Sequence, residues 1–263
     1  MSVTIHDRYV VADTVSEAWL GAVAAVEPLA NHKTVHLIVR IADPTAEVAE
    51  IRSLVDALIE ARDQATGGDR YKPIRTVRNT IFPARWAEKF PDPPELAAHY
   101  RERFATQLRQ HKENQRGTYF GRMVAFPRGD GEDSDQLSHT VEKLREELQH
   151  SGSLSSRYEI NIYSELRDRK IRFGFPCLSF LSLHLHEGAL HMQAHYRNEY
   201  LVARGYGNYL GLGELLAYLA RACEINVGEL ALVAGHAELD APKTAIRDLL
   251  ERAGVEREAA AAH

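Results

Sequence analysis

Cys177 stands directly after Pro176, Arg197 follows twenty residues later, and Asn208 lies eleven beyond that. These side chains are a soft nucleophile, a fixed cation and an amide. A thiolate attacks electron-poor carbon, and a neighbouring cation favours the ionised thiol that does so. A guanidinium grips phosphate or carboxylate through paired hydrogen bonds. A side-chain amide offers a donor and an acceptor side by side. Cys223 lies on the apolar face of a helical stretch and reads as a small core residue. Neither cysteine has metal-ligand spacing, and two cysteines make no disulfide framework.

Other clusters carry weaker signals. His184, His186, His191 and His195 lie on two apolar runs around Glu187-Gly188. A two-residue turn there would pair His184 with His191 and put all four on one face. Paired imidazoles with a carboxylate would suit zinc or copper, whereas a polar or interfacial sheet face is the commoner use. Gly205, Gly207, Gly211 and Gly213 fit neither the dinucleotide nor the P-loop spacing and read as turn and close-packing positions. His236-Ala237-Glu238 lacks the downstream cysteine pair of a zinc deaminase. Arg101, Arg103 and Arg109 read as a solvated helix face.

The chain has 263 residues, 44% of them hydrophobic, and a formal charge of −5. That supplies a large core and argues against broad nucleic-acid binding. No twenty-residue apolar run and no leader-like apolar segment is present, so a cytoplasmic protein without a membrane span is expected.

Several elements must position the candidate residues. A helix is expected over 13–26 with Asp13 as its cap, a strand over Thr34–Ile41, and a helix after Pro44 with Val48, Ile51, Val55, Leu58 and Ile59 inward. Residues 74–92 are ambiguous, and a charged helix is expected over 95–111. Asp133 and Gln136 form a capping-box pattern ahead of a helix with Leu137, Val141, Leu144 and Leu148 inward. Ser151–Ser156 reads as a loop and 158–163 as a half-buried strand. Phe173–Leu185 and Ala189–Leu201 read as a hairpin, Gly211–Cys223 as an apolar helix, Leu230–Val233 as a buried strand and 243–254 as a last helix. Without a regular βαβ rhythm, this predicts one α+β domain over residues 1–263 with a mixed or antiparallel sheet.

The order Pro176-Cys177, Arg197, Asn208 resembles the thymidylate synthase and pyrimidine nucleotide hydroxymethylase family. The likeness runs nearly colinearly from Tyr119 to Arg252, with a small insertion ahead of Arg157, and extends loosely to Ser16-Glu17-Ala18-Trp19 and His36-Leu37-Ile38-Val39. The resemblance implies a single thymidylate-synthase-like domain and a homodimer joined through its sheet, which buries the histidine face between subunits. It implies that the Cys177 thiolate adds to C6 of a pyrimidine nucleotide and makes C5 a carbon nucleophile. It implies that Arg197 holds the substrate phosphate, and that Arg157 is lent to the same phosphate by a partner subunit. Asn208 matches the asparagine that hydrogen-bonds the N3–O4 edge of uracil, where hydroxymethylases acting on cytosine usually carry Asp. The implied donor is 5,10-methylenetetrahydrofolate, for methylation or hydroxymethylation at C5.

Some positions depart from the family pattern. Glu238 and Asp240 stand where the sugar-binding histidine and tyrosine belong. Phe120 replaces a tyrosine that helps remove the C5 proton, beside Tyr119, and Asn79 or Thr80 replaces a water-organising glutamate. Tyr200, Arg204 and Gly207 replace folate contacts, and the closing tail of the family is missing. The alternatives are therefore a nucleotide-binding or regulatory protein on the same fold, or a different reaction in the same pocket with Glu238 or Asp240 as acid or base. In the simple hairpin register, residue 177 faces away from residue 197 unless a bulge intervenes.

Overall fold

The computed structural model describes residues 3–68, 70–110, 114–115, 117–149, 158–172, 174 and 176–255. The elements are β1 Val3–His6, β2 Tyr9–Thr14, α1 Val15–Val26, β3 Lys33–Asp43, α2 Ala49–Thr66, α3 Ile74–Ile81, α4 Ala84–Ala87 and α5 Pro93–Thr106. They continue with α6 Tyr119–Val124, β4 Phe126–Pro127, β5 Asp133–Ser134, α7 Gln136–Gln149, β6 Tyr158–Asn161 and α8 Glu165–Asp168. Then come β7 Leu178–His186, β8 Ala189–Tyr196, β9 Glu199–Tyr200, a π-helical turn Leu201–Gly205, α9 Tyr206–Ala222, β10 Asn226–Glu238 and α10 Lys243–Arg252. The chain is α+β with a mixed sheet, as its pattern predicts. Among the described residues, no helix is long and apolar enough to cross a membrane.

The chain forms two compact units, the first made of residues 1–78, 196–210 and 230–263. In its described part β1 pairs antiparallel with β2, β2 parallel with β3, and β3 antiparallel with β10. The short β9 adds in parallel to the end of β10. Helix α1, which links the parallel pair, is apolar on nearly every side and correspondingly buried, with Trp19, Leu20, Val23 and Val26 inaccessible. Its cap is Thr14 rather than Asp13: the Thr14 hydroxyl accepts the Glu17 amide at 3.2 Å, while Asp13 belongs to β2. Helix α2 buries Ile51, Val55, Leu58 and Ile59 as its spacing predicts.

The second unit comprises residues 79–195 and 211–229. Strand β6 pairs antiparallel with β7, and β8 follows beside it. The turn is the expected one: Glu187 and Gly188 both have positive φ, 49° and 75°, as a tight two-residue hairpin requires. Phe82, Tyr100, Phe120 and Tyr218 make an aromatic cluster, with Phe120 4.8 Å from Tyr100 and 5.9 Å from Phe82 between ring centres.

Some elements differ from the pattern reading. Residues 119–124 form a helix capped by Thr118. Helix α7 is capped by Asp135, not Asp133, through the Ser138 amide at 3.1 Å. Leu148 is exposed because α7 outlasts the surface it packs on. The last strand is far longer than 230–233, and β7 begins only at Leu178. Arg101 is more than a solvated charge: it donates to the Val124 carbonyl at 2.9 Å and to Asp135 at 3.2 Å. The loop Ser151–Ser156, Arg157 and the tail 259–263 lie outside the described residues.

Candidate functional site

In the first unit, buried Glu199 and Asn208 lie on the segment between Tyr196 and Leu210. The chain leaves β8 through exposed Arg197 and half-buried Asn198, passes β9, makes the π-helical turn and enters α9. A π-helical turn leaves backbone groups out of the usual ladder and is frequent at functional sites. Here Asp240 satisfies them. Its enclosed carboxylate accepts the amides of Val202 and Ala203 at 2.9 and 3.3 Å, and Arg70 reaches it at 3.5 Å. Tyr71 donates its hydroxyl to the Asp240 carbonyl. Burial pushes the Asp240 carboxyl above its ordinary range, opposed by the amide bonds. Asp240 therefore acts as a cap for the turn. Glu238 is likewise engaged, 3.0 Å from Lys33. Trp19 pins the other side of the turn by donating to the Leu201 carbonyl at 2.7 Å.

The π-helical turn delivers Asn208 into the first turn of α9, 3% exposed. Glu199, two residues past Arg197, is also buried. Tyr209 donates its hydroxyl to Glu199 Oε2 at 3.4 Å. Asn208 Oδ1 and Glu199 Oε1 are both buried and without a hydrogen-bond partner among the described residues. The segment carrying Arg197 is thereby tied to α9 through Glu199 and Tyr209. Glu199 escaped the sequence reading, because nothing in Arg197-Asn198-Glu199-Tyr200 distinguishes a buried glutamate from a solvated one. On the same segment, Asn198 Oδ1 accepts Nδ1–H of His236 at 2.6 Å.

Burial pushes the Glu199 carboxyl up to about 7, against the lowering effect of neighbouring Asn208 and Tyr209. The folded state thus holds this proton more tightly than the unfolded chain. Stability from the group is complete below its ordinary range and is lost as pH rises through about 7. At about 1.4 kcal/mol per pH unit of displacement, the loss approaches ~3 kcal/mol. Glu199→Gln should gain about that much relative to the parent between pH 4.5 and 8.5, read from urea melts at both values. A constant difference would show that Glu199 does not titrate in the folded state.

Gly207 is a close-packing position, as expected, and not a turn residue. A Cβ there would lie 2.6 Å from Val77 Cβ and 3.0 Å from the Ile74 carbonyl oxygen. Gly207→Ala should cost about 1–3 kcal/mol and shift the first turn of α9, a change visible in the melting temperature. An unaltered melt would mean that α3 yields freely. Tyr200 is exposed and carries Arg70 over its ring at 5.4 Å, while Arg204 is half-buried.

Cys177 belongs to the second unit, half-buried immediately before β7. A bulge lies beside it: the amides of Ile162 and Tyr163 both donate to the Ser179 carbonyl at 2.9 Å. The buried positions of β7 are Leu178, Leu181, Ser182 and Leu183, so burial does not alternate strictly along the strand. Counting parity back from the hairpin therefore does not fix the side on which Cys177 lies. Cys223 is buried and its thiol is pushed up to about 11, as an inert core cysteine should be. Phe120 is fully buried in the aromatic cluster.

Below this segment Arg122 and Asp168 form an enclosed two-pronged ion pair, with bonds of 2.7 and 3.0 Å. Arg122 also donates to the Ile162 carbonyl at 3.1 Å, and Asp168 accepts the Ser164 amide at 2.9 Å. The pair borders a cavity of about 500 Å³ that Phe104, Arg109, Arg167 and Ile171 also line.

The histidines have structural partners. His195 stacks on Phe180 at 5.2 Å, the cross-strand pair that the two-residue turn produces, and His191 accepts the Glu229 amide at 3.1 Å. Among the described residues no group of three potential ligands could hold a metal ion. Arg197 and Asn208 thus share one segment of the first unit, Cys177 stands in the second, and Arg157 is outside the described residues. Neither protein-family models nor curated proteins give a match to this chain.

Proposed function

We propose that this chain is a divergent thymidylate-synthase-like protein that binds a uridylate-type nucleotide and adds the Cys177 thiolate to C6 of its base. The observation that carries the reading is the buried Asn208 amide, whose Oδ1 awaits a donor. Its neighbour Tyr209 bonds Glu199 on the segment bearing Arg197, the proposed phosphate ligand. Addition forms the S–C6 bond and moves the C5=C6 electron pair towards C5 and O4. C5 takes up a proton from water, the original C5 hydrogen leaves to water, and expulsion of the thiolate then restores the C5=C6 double bond, a net exchange at C5. The α+β architecture and mixed sheet support the fold assignment. Tyr9 and Ile38, neighbours in the β2–β3 ladder, are exposed apolar residues that suit a sheet-mediated homodimer, in which Arg157 of the partner subunit would complete the phosphate site.

One-carbon transfer to C5 is the reaction class of this reading, with 5,10-methylenetetrahydrofolate as the donor that the resemblance implies. The residues present do not fit that donor well. Gly207, at a folate-lining position, is covered by Val77 and Ile74, and Tyr200 carries Arg70 on its ring. The chemistry assigned to this chain therefore ends at addition to C6 and exchange at C5. A second reading, a nucleotide-binding regulator, is favoured by Phe120, which offers no hydroxyl and is sealed in an aromatic cluster.

The test is binding of dUMP, UMP, dCMP and CMP to the full chain, followed by release of tritium from C5. Release that depends on Cys177 supports the first reading. Binding without release supports the regulator. Failure of all the nucleotides to bind overturns both.

A further inference from the structure

We propose that the cavity of about 500 Å³ in the second unit is a binding site for a small organic carboxylate with an apolar body. Its volume falls in the range of small-molecule pockets, about 300–1,000 Å³. The residues that border it all belong to the second unit, from the end of α5 to the segment just after α8. Cys177, Arg197 and Asn208 are not among them, so the site goes beyond the nucleotide reading and does not depend on it.

Charge gives the first requirement for a ligand. Among the described residues, three guanidinium groups border the cavity, from Arg109, Arg122 and Arg167, against two carboxylates, from Asp133 and Asp168. One positive charge is left over. The bonding shows where it resides. Asp168 Oδ1 accepts from Arg122 Nη2 at 3.0 Å, and Oδ2 accepts from Arg122 Nη1 and the Ser164 amide at 2.7 and 2.9 Å. That enclosed pair is neutral in sum and gives the wall a fixed shape. Arg167 meets Asp133 at 3.0 Å, but their side chains are 39% and 48% exposed, so the pair is worth little and a ligand carboxylate can share the guanidinium. Arg109 has no carboxylate partner among the described residues. It stands on the turn Leu108–Gln110, past the end of α5, and not on the helix face that its spacing predicts.

Shape gives the second requirement. Phe104 and Ile171, both half-buried, supply apolar wall, and Phe104 is held by stacking on Tyr100 at 6.2 Å. A bare inorganic anion would leave this surface wet. A neutral apolar molecule would leave the Arg109 charge unanswered. A guanidinium takes a carboxylate through two parallel hydrogen bonds, so one carboxylate carried on a ring or a branched chain meets both requirements.

The experiment is ligand-observed NMR titration of the full chain with phenylacetate, phenylacetamide and acetate near neutral pH. Phenylacetate should bind saturably. It should bind about tenfold or more tightly than the amide, the worth of a hydrogen bond to a charged group. The same margin is expected over acetate, from burial of the ring. Arg109→Gln should weaken phenylacetate about tenfold and leave the amide unchanged. Arg109 is exposed, so the variant should fold; if it does not, Arg167→Gln carries the same comparison. Arg169→Gln, an exposed arginine that does not border the cavity, should change nothing. Equal binding of acid and amide, equal weakening by Arg169→Gln, or no saturable binding of phenylacetate overturns the proposal. None of these outcomes bears on the nucleotide reading, whose own test uses different ligands.

Discussion

Replacing Cys177 with serine is expected to lower C5 tritium release roughly 10⁴-fold or more, while nucleotide binding changes little. Serine keeps the size and position of the side chain but is a far weaker nucleophile at neutral pH. Loss of a covalent nucleophile removes the step on which every later one depends, so the effect belongs in turnover and not in affinity. Cys177 is half-buried at the mouth of β7, a position compatible with contact to a ligand, whereas Cys223 is enclosed and its thiol pushed up to about 11. Cys223→Ser should accordingly spare release and cost only stability. Equal release from the parent and Cys177→Ser would sink the adduct, and with it any C5 chemistry through this residue.

Asp168→Ala should lower the free energy of unfolding by about 3–5 kcal/mol, a large fraction of what holds an ordinary domain together. The magnitude comes from burial. Both side chains are almost inaccessible, at 3% for Arg122 and 0% for Asp168, so loss of the carboxylate strands a guanidinium where water cannot reach it. A comparable change at the exposed pair Arg169–Glu165 should be barely measurable. The two-pronged bond also ties α6 to α8, and Arg122 holds the end of β6 through the Ile162 carbonyl. The double substitution Arg122→Met with Asp168→Leu should recover most of the loss, because it removes the stranded charge along with the pair. Urea denaturation of the three variants checks both statements. A loss under about 1 kcal/mol for Asp168→Ala would show that water reaches Arg122 in the folded protein.

The sequence by itself determined the elements whose periodicity is unambiguous. The stripe Ile51, Val55, Leu58, Ile59 faces inward because helical spacing leaves an apolar face no other place to go. Glu187-Gly188 turns the hairpin because that loop needs two positive φ angles and a glycine supplies one freely. The inert role of Cys223 was also legible, since it lies on a wholly apolar helix face. Cap identities shifted by one or two residues, Thr14 for Asp13 and Asp135 for Asp133, because neighbouring side chains could each serve and geometry alone chooses.

Tertiary structure decided the rest. The bulge at Ser179 depends on the amides of Ile162 and Tyr163, just past β6, that share one carbonyl, a contact between segments that no local pattern encodes. Gly207 owes its identity to Val77 and the Ile74 carbonyl, more than a hundred residues earlier in the chain. Asp240 looked like a candidate acid or base and proves to be a cap for the π-helical turn. Glu199 gave no signal at all, since a charged residue between an asparagine and a tyrosine reads as surface. Only the fold encloses it beneath the Tyr209 hydroxyl, where loss of water raises its proton affinity.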